Sequence, residues 1–140
     1  MGVEPFLLSS SLECLIAQRL VRVICPKCKF AVIPKKEIIA EIEKNITPAP
    51  NKIELMEGKG CQACRFTGYR GRTGVHEILR VTDSIRELII SRVSSQKIKQ
   101  KAVSDGMHTL RQDGLGKVIA GITTFEEVVR VTQQEELPEE

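Results

Sequence analysis

The chain has 140 residues, 41% hydrophobic and 28% charged, a balance that supports one modest core and excludes a disordered polymer. Only 4% of residues are aromatic, with no Trp and one Tyr, so the core must be aliphatic and a base-stacking or sugar-stacking surface is poorly supplied. The net charge of +3 conceals a mildly basic body, because Glu135, Glu136, Glu139 and Glu140 are all in the tail and residues 1–134 alone sum to +7; such a body suits an acidic partner, an anionic surface or plain solvation.

From Phe6 the apolar positions Leu7, Leu8, Leu12, Leu15, Ile16, Leu20 and Val21 recur at three- and four-residue steps, which predicts helix over residues 6–21. Pro5 fits the first turn, and Ser11 could cap a second helix after the serine run. Cys14 falls on this apolar helix and reads as a small buried hydrophobe without a function. Residues 29–60 form an insertion with a short helix over 35–44, a Pro-rich break at 47–50 and a brief strand over 52–56. A turn-rich run, TGYRGRTG, precedes a strand over 75–81. Four short helices then follow over residues 82–132, around a small aliphatic core, with capping boxes predicted from Ser84 to Glu87 and from Thr123 to Glu126. Residues 133–140 read as a loose acidic tail.

The strongest chemical signal is the pair of Cys-x-x-Cys knuckles, CPKC at Cys25 and Cys28 and CQAC at Cys61 and Cys64. No run approaches the roughly 18 apolar residues of a spanning helix, and residues 1–11 lack a basic leader and a cleavage pattern, so a cytosolic chain is expected. In that compartment five cysteines point to metal ligands or redox groups more than to disulfides. A two-residue spacer lets both sulfurs of a knuckle face one point, so two knuckles supply a tetrahedral thiolate set for Zn²⁺. Lys27, Lys29, Lys59 and Arg65 lie beside the ligands and would offset the formal −2 charge of such a site. With all four positions filled by protein the metal would be structural and not catalytic; two redox dithiols or free structural cysteines are the competing readings.

Gly68, Gly71 and Gly74, with Arg70 and Arg72 between them, read either as a tight turn feeding the strand or as an anion-binding turn. No GxxxxGK[ST] phosphate loop occurs. His76 and His108 lack partners at catalytic or ligand spacing and read as structural, and Asp113, Glu126 and Glu127 read as ordinary helix-surface charge. No catalytic residue is identified.

In order, MGVEPFLLSSSLECLIAQRLVR, the tetracysteine insertion, GYRGRTGVHEILRV, SIRELI and GMHTLRQDGLGKVIAGITTFEEVVRVT resemble the C-terminal portion of the type II secretion and type IV pilus assembly ATPases, over about residues 1–132. The resemblance implies an α+β, mostly α fold. Residues 1–24 would be a helical remnant of the motor core, 25–66 a short-strand, zinc-bound tetracysteine subdomain and 67–132 a strand with a C-terminal bundle of small helices. It also implies a parent that is a cytoplasmic hexameric ATPase, peripheral to the inner membrane through platform proteins and sister subunits, with ATP and Mg²⁺ bound only in the complete protein. The nucleotide-binding motifs of that family do not occur in this chain, so Met1 reads as an internal methionine of a truncated frame, the chain is expected not to hydrolyse ATP, and residues 6–21 should expose an apolar face liable to self-association. The alternative is a free-standing zinc-knuckle module binding protein or nucleic acid, which the scarcity of aromatics and the acidic tail oppose.

Overall fold

The computed structural model describes residues 4–48 and 50–132, so the predicted acidic tail lies outside the described residues. Six α-helices and four strands form in the order α1 (Pro5–Ser11), β1 (Cys14–Ile24), β2 (Lys29–Val32), α2 (Lys36–Asn45), β3 (Leu55–Gly58), β4 (Tyr69–Arg80), α3 (Asp83–Ile90), α4 (Ser95–Ser104), α5 (Leu110–Ile119) and α6 (Phe125–Thr132). The class is α+β, with two small sheets: β1 pairs with β4, and β2 with β3. None of the described helices is long and apolar enough to cross a membrane.

The chain divides into two compact units, one from the residues up to Ala17 together with His76–Thr109, the other from Gln18–Val75 together with Leu110 onward. In the first, α3 and α4 enclose Val81, Ile85 and Ala102, with Leu12, Leu79 and Met107 packed around them. Arg86 on α3 donates to the Ser9 carbonyl and pairs with Glu13, tying down the turn after α1. Ser94 accepts a hydrogen bond from the Lys97 backbone N–H at the start of α4, and Gly106 follows its end. The expected capping box at Ser84 does not form; Thr82 precedes the helix and Ser84 Oγ bonds instead to Thr82 Oγ1 and Asp105.

The second unit holds the larger core. Ile42 of α2, Leu55 of β3, Leu115 and Val118 of α5 and Val128 of α6 are buried together, at 0–5% exposure. Gly114 lets α6 approach: an added Cβ would sit 2.6 Å from Val128 Cγ1. A second cluster joins Val21 of β1, Val75 of β4 and Leu110 of α5. The antiparallel β2–β3 pair runs in register from Lys29 opposite Gly58 to Val32 opposite Leu55. Gly58 also lies against Gly68, where a Cβ on either residue would overlap the other's carbonyl oxygen.

Three predicted elements are corrected. Helix stops at Ser11, and residues 14–24 form the 11-residue strand β1. Leu15, Ile16, Leu20 and Val21 follow a helical spacing and no strict period of two, and pairing with β4 overrides that local pattern. Cys14 is accordingly exposed, not buried. The glycine–arginine run is mostly strand, because β4 begins at Tyr69, with a bend at Gly71 (φ 85°). The four C-terminal helices form as expected but do not share one core: α3 and α4 pack in the first unit, α5 and α6 in the second. The apolar exposure expected near the N-terminus is present, with Phe6 61%, Leu7 48% and Ile16 62% exposed.

Glu127 is not surface charge. It is 2% exposed, and its carboxylate accepts from Arg22 Nη2 (2.7 Å), the Arg22 backbone N–H (2.9 Å) and Arg130 Nη2 (2.9 Å) and Nε (3.3 Å). Thr124, not Thr123, receives the Glu127 N–H at the start of α6, while Thr123 Oγ1 donates to the Arg22 carbonyl. Burial alone would raise the Glu127 pKa, but the hydrogen bonds from Arg22 and Arg130 outweigh it and pull the value from 4.5 to about 2.

Two outcomes follow. A folded-state pKa below the unfolded one means that the stabilisation is present in full above pH 4.5 and is lost as pH falls through about 2. At about 1.4 kcal/mol per unit the contribution is about 3 kcal/mol. Urea unfolding of Glu127→Gln should therefore show a loss of about 2–3 kcal/mol near neutral pH and a flatter acid limb than the unsubstituted chain. Gly58→Ala, which drives a methyl into the Gly68 backbone, should cost more than about 2 kcal/mol, whereas Gly116→Ala, with open space at its Cβ position, should be neutral or stabilising in the same assay.

Candidate metal centre

Cys25 follows the last residue of β1, Cys28 precedes β2, and Cys61 and Cys64 bracket a single 3-10 turn between β3 and β4. Each knuckle closes with a backbone bond across its two-residue spacer, Cys28 N–H to the Cys25 carbonyl (3.2 Å) and Cys64 N–H to the Cys61 carbonyl (3.1 Å). The knuckles are brought together by the Cys25 N–H donating to the Gly68 carbonyl (2.9 Å) and the Lys59 N–H to the Cys28 carbonyl (3.1 Å). Arg65 and Phe66 turn the chain out of the second knuckle in the left-handed conformation (φ 51° and 62°), which leaves the Phe66 side chain 74% exposed.

All four sulfurs lie within 4.8 Å of one another. The Sγ–Sγ distance is 3.9 Å for Cys25–Cys61, 3.9 Å for Cys28–Cys64 and 3.8 Å for Cys61–Cys64. A regular tetrahedron of thiolates about 2.3 Å from a central zinc has edges of about 3.8 Å. The donor set is therefore close enough to bind a metal ion, and its spacing fits a tetrahedral one. The cysteines whose spacing the sequence singled out are the ones brought together; Cys14 is not among them.

Electrostatics point the same way. Burial opposes ionisation of Cys64, yet the N–H groups of Cys61 (3.1 Å) and Gly68 (3.3 Å) directed at its sulfur bring its pKa down to about 6. Cys28 is pushed up to about 12, first by burial and then, against a favourable Gly60 N–H, by the three neighbouring cysteines. One thiolate forms easily and discourages the next, so a divalent cation is the group that lets all four carry charge together.

The weaker candidates are not among these clustered ligands. His76 is a half-buried residue of β4, and His108 lies exposed before α5. Arg70 and Arg72 are exposed on β4. Lys59 stands over the Phe30 ring, 5.0 Å from its centroid. What the sequence reading missed is the charged cluster of Arg22, Glu127 and Arg130. Its signal is the position of Glu127 three residues after Thr124 and four before Val131, on the inward stripe of α6.

Residues 1–130 match the family described as Type II/IV secretion system protein. The chain is 45% identical over 135 residues to a type II secretion system protein E of Dickeya dadantii, covering 96% of this chain and 26% of that protein. It is 44% identical over 136 residues to the type II secretion system ATPase E of Vibrio cholerae, again with 96% and 26% covered. The type IV pilus assembly ATPase PilB of Thermus thermophilus is 45% identical over 135 residues, 94% of this chain and 15% of that protein. The chain thus spans about a quarter or less of the length of these relatives. A match over nearly the whole chain, carried by close identity to both secretion and pilus proteins, makes it a member of the type II/IV secretion system protein family.

Proposed function

We propose that this chain is the zinc-stabilised C-terminal segment of a cytoplasmic ATPase that powers type II protein secretion or type IV pilus assembly, and that its own role is structural and partner-docking. The observation that carries the reading is the convergence of four cysteine sulfurs in a chain whose relatives are named as secretion and pilus ATPases. Cys25, Cys28, Cys61 and Cys64 would hold one Zn²⁺. The metal supplies a closed cross-link, with no position left for water or substrate. The chain's own residues do the rest: the N–H groups of Cys61 and Gly68 favour thiolate at Cys64, and Lys27, Lys29, Lys59 and Arg65 offset the surplus negative charge.

Residues 25–66 then act as a subdomain organised by metal, inserted between a motor-core remnant and the C-terminal helices. Its place in the complete protein is on the cytoplasmic side of the inner membrane, held there by platform proteins and by sister subunits of a hexamer. ATP and Mg²⁺ belong to the complete protein, since this chain contains no phosphate-binding loop.

Metal analysis of the purified chain should return close to one zinc per chain. Cys61→Ser should release it and open residues 25–64 to protease, because zinc binding to such a site is worth on the order of 10 kcal/mol. A folded, protease-resistant chain without metal would overturn the zinc reading. In an ATPase assay the chain alone should stay at background, and metal-dependent turnover abolished by an ATP-site inhibitor would contradict the assigned role.

A further inference from the structure

Three guanidinium nitrogens of Arg22 and Arg130 are spent on Glu127: Nη2 of Arg22, and Nε and Nη2 of Arg130. The carboxylate is saturated, because its two oxygens also take the Arg22 backbone N–H. One negative charge is thus shared by two positive ones. Yet the arginine side chains are 51% and 58% exposed, against 3% for the acid between them, so the surplus charge faces solvent.

The pair is also held in orientation. The Arg22 guanidinium lies over the Tyr69 ring at 4.1 Å from its centroid, and the Tyr69 hydroxyl is fixed by Thr124 Oγ1 at 2.9 Å. A planar fork locked in this way loses little entropy when it takes a ligand. Beside Arg130, one depression is lined by Lys35, Glu37 and Glu126, while the strands and knuckles next to Arg22 are basic. Residues 14–36 hold Arg19, Arg22, Lys27, Lys29, Lys35 and Lys36, residues 58–76 hold Lys59, Arg65, Arg70 and Arg72, and all 18 carboxylates lie elsewhere in the sequence. Two exposed arginine forks with donors not spent on Glu127 match the two-oxygen geometry of a phosphate group.

We propose that Arg22 and Arg130, anchored from below by Glu127, form a binding site for a phosphate oxyanion, borne by a free phosphorylated ligand or by a phospholipid headgroup. The site needs no metal, so it stands or falls separately from the zinc reading.

The test is a titration of the full chain with inorganic phosphate against chloride at matched ionic strength, following the arginine Nε–H resonances by NMR. Those of Arg22 and Arg130 should shift together and saturate. Arg130→Gln, which leaves Arg22 to pair with Glu127, should weaken the phosphate affinity at least about tenfold, as expected for loss of one charge-assisted fork. Arg22→Lys, which keeps the charge but not the planar fork or the stack on Tyr69, provides a second variant should the first fold poorly, and should weaken it as well. Arg80→Gln, in the other unit, should change nothing. Co-sedimentation with phosphatidylglycerol vesicles, with phosphatidylcholine as reference, separates the two sources: binding to vesicles alone that Arg130→Gln abolishes supports the site with a headgroup as its ligand. Absence of binding to both probes, or binding that neither Arg130→Gln nor Arg22→Lys weakens, overturns the proposal.

Discussion

Cys25 and Cys61 are 36 residues apart in sequence, yet their sulfurs lie 3.9 Å apart, and much of the second unit is organised by that approach. Every strand has an end close to it. β1 stops at Ile24, β2 starts at Lys29, β3 stops at Gly58 and β4 starts at Tyr69. Gly58 lies against Gly68, and the Cys25 N–H reaches the Gly68 carbonyl, so both glycines beside the knuckles must be backbone-thin. The insertion between the knuckles is held at the same place. Its α2 and β3 contribute Ile42 and Leu55 to the core that Leu115, Val118 and Val128 complete. Closing so long a loop costs only slightly more than closing one of half the length, about 0.6 kcal/mol per doubling, which a metal cross-link would exceed many times over.

A second constraint is electrostatic. Residues 14–36 and 58–76, which build the knuckles and much of the β1–β4 ladder, are rich in cations and contain no acid, a composition that resists compaction. Glu127 supplies the counter-charge from α6, a hundred residues away in sequence. Burying a carboxylate is costly unless its lone pairs are filled, and here four donors fill them. The same contact fastens the start of α6 to β1 through Thr123 and the Arg22 carbonyl.

These two constraints were not equally visible beforehand. Knuckle chemistry is local: two cysteines separated by two residues announce a turn and a pair of ligands, and the geometry bears out that the four converge. Helices α2 to α6 were legible for a similar reason, since their apolar stripes lie within one or two turns, although the capping partners at Ser84 and Thr123 were misplaced. Strand β1 was hidden because its apolar residues recur at helical steps, and the partner that overrides them, β4, lies some fifty residues downstream. The extent of β4 was masked by its glycines, which the sequence presents as turn formers but the ladder tolerates. Glu127 was misread because the adjacent acids Glu126 and Glu127 look like one solvated pair, although only Glu126 is exposed.

Residues 14–20 are exposed throughout, so burial cannot be what keeps them extended. A two-stranded ladder without a buried face is marginal in water. What remains is restraint at the ends. In the first unit the Val81 N–H donates to the Glu13 carbonyl, at 2.9 Å. In the second, the Ile24 N–H donates to the Ile122 carbonyl and the Cys25 N–H to that of Gly68, both at 2.9 Å, within one residue of a knuckle sulfur. A strand pinned at both ends loses less entropy on pairing than a free one, so order at the cysteine site and order along the exposed ladder are coupled through the backbone of β1 itself.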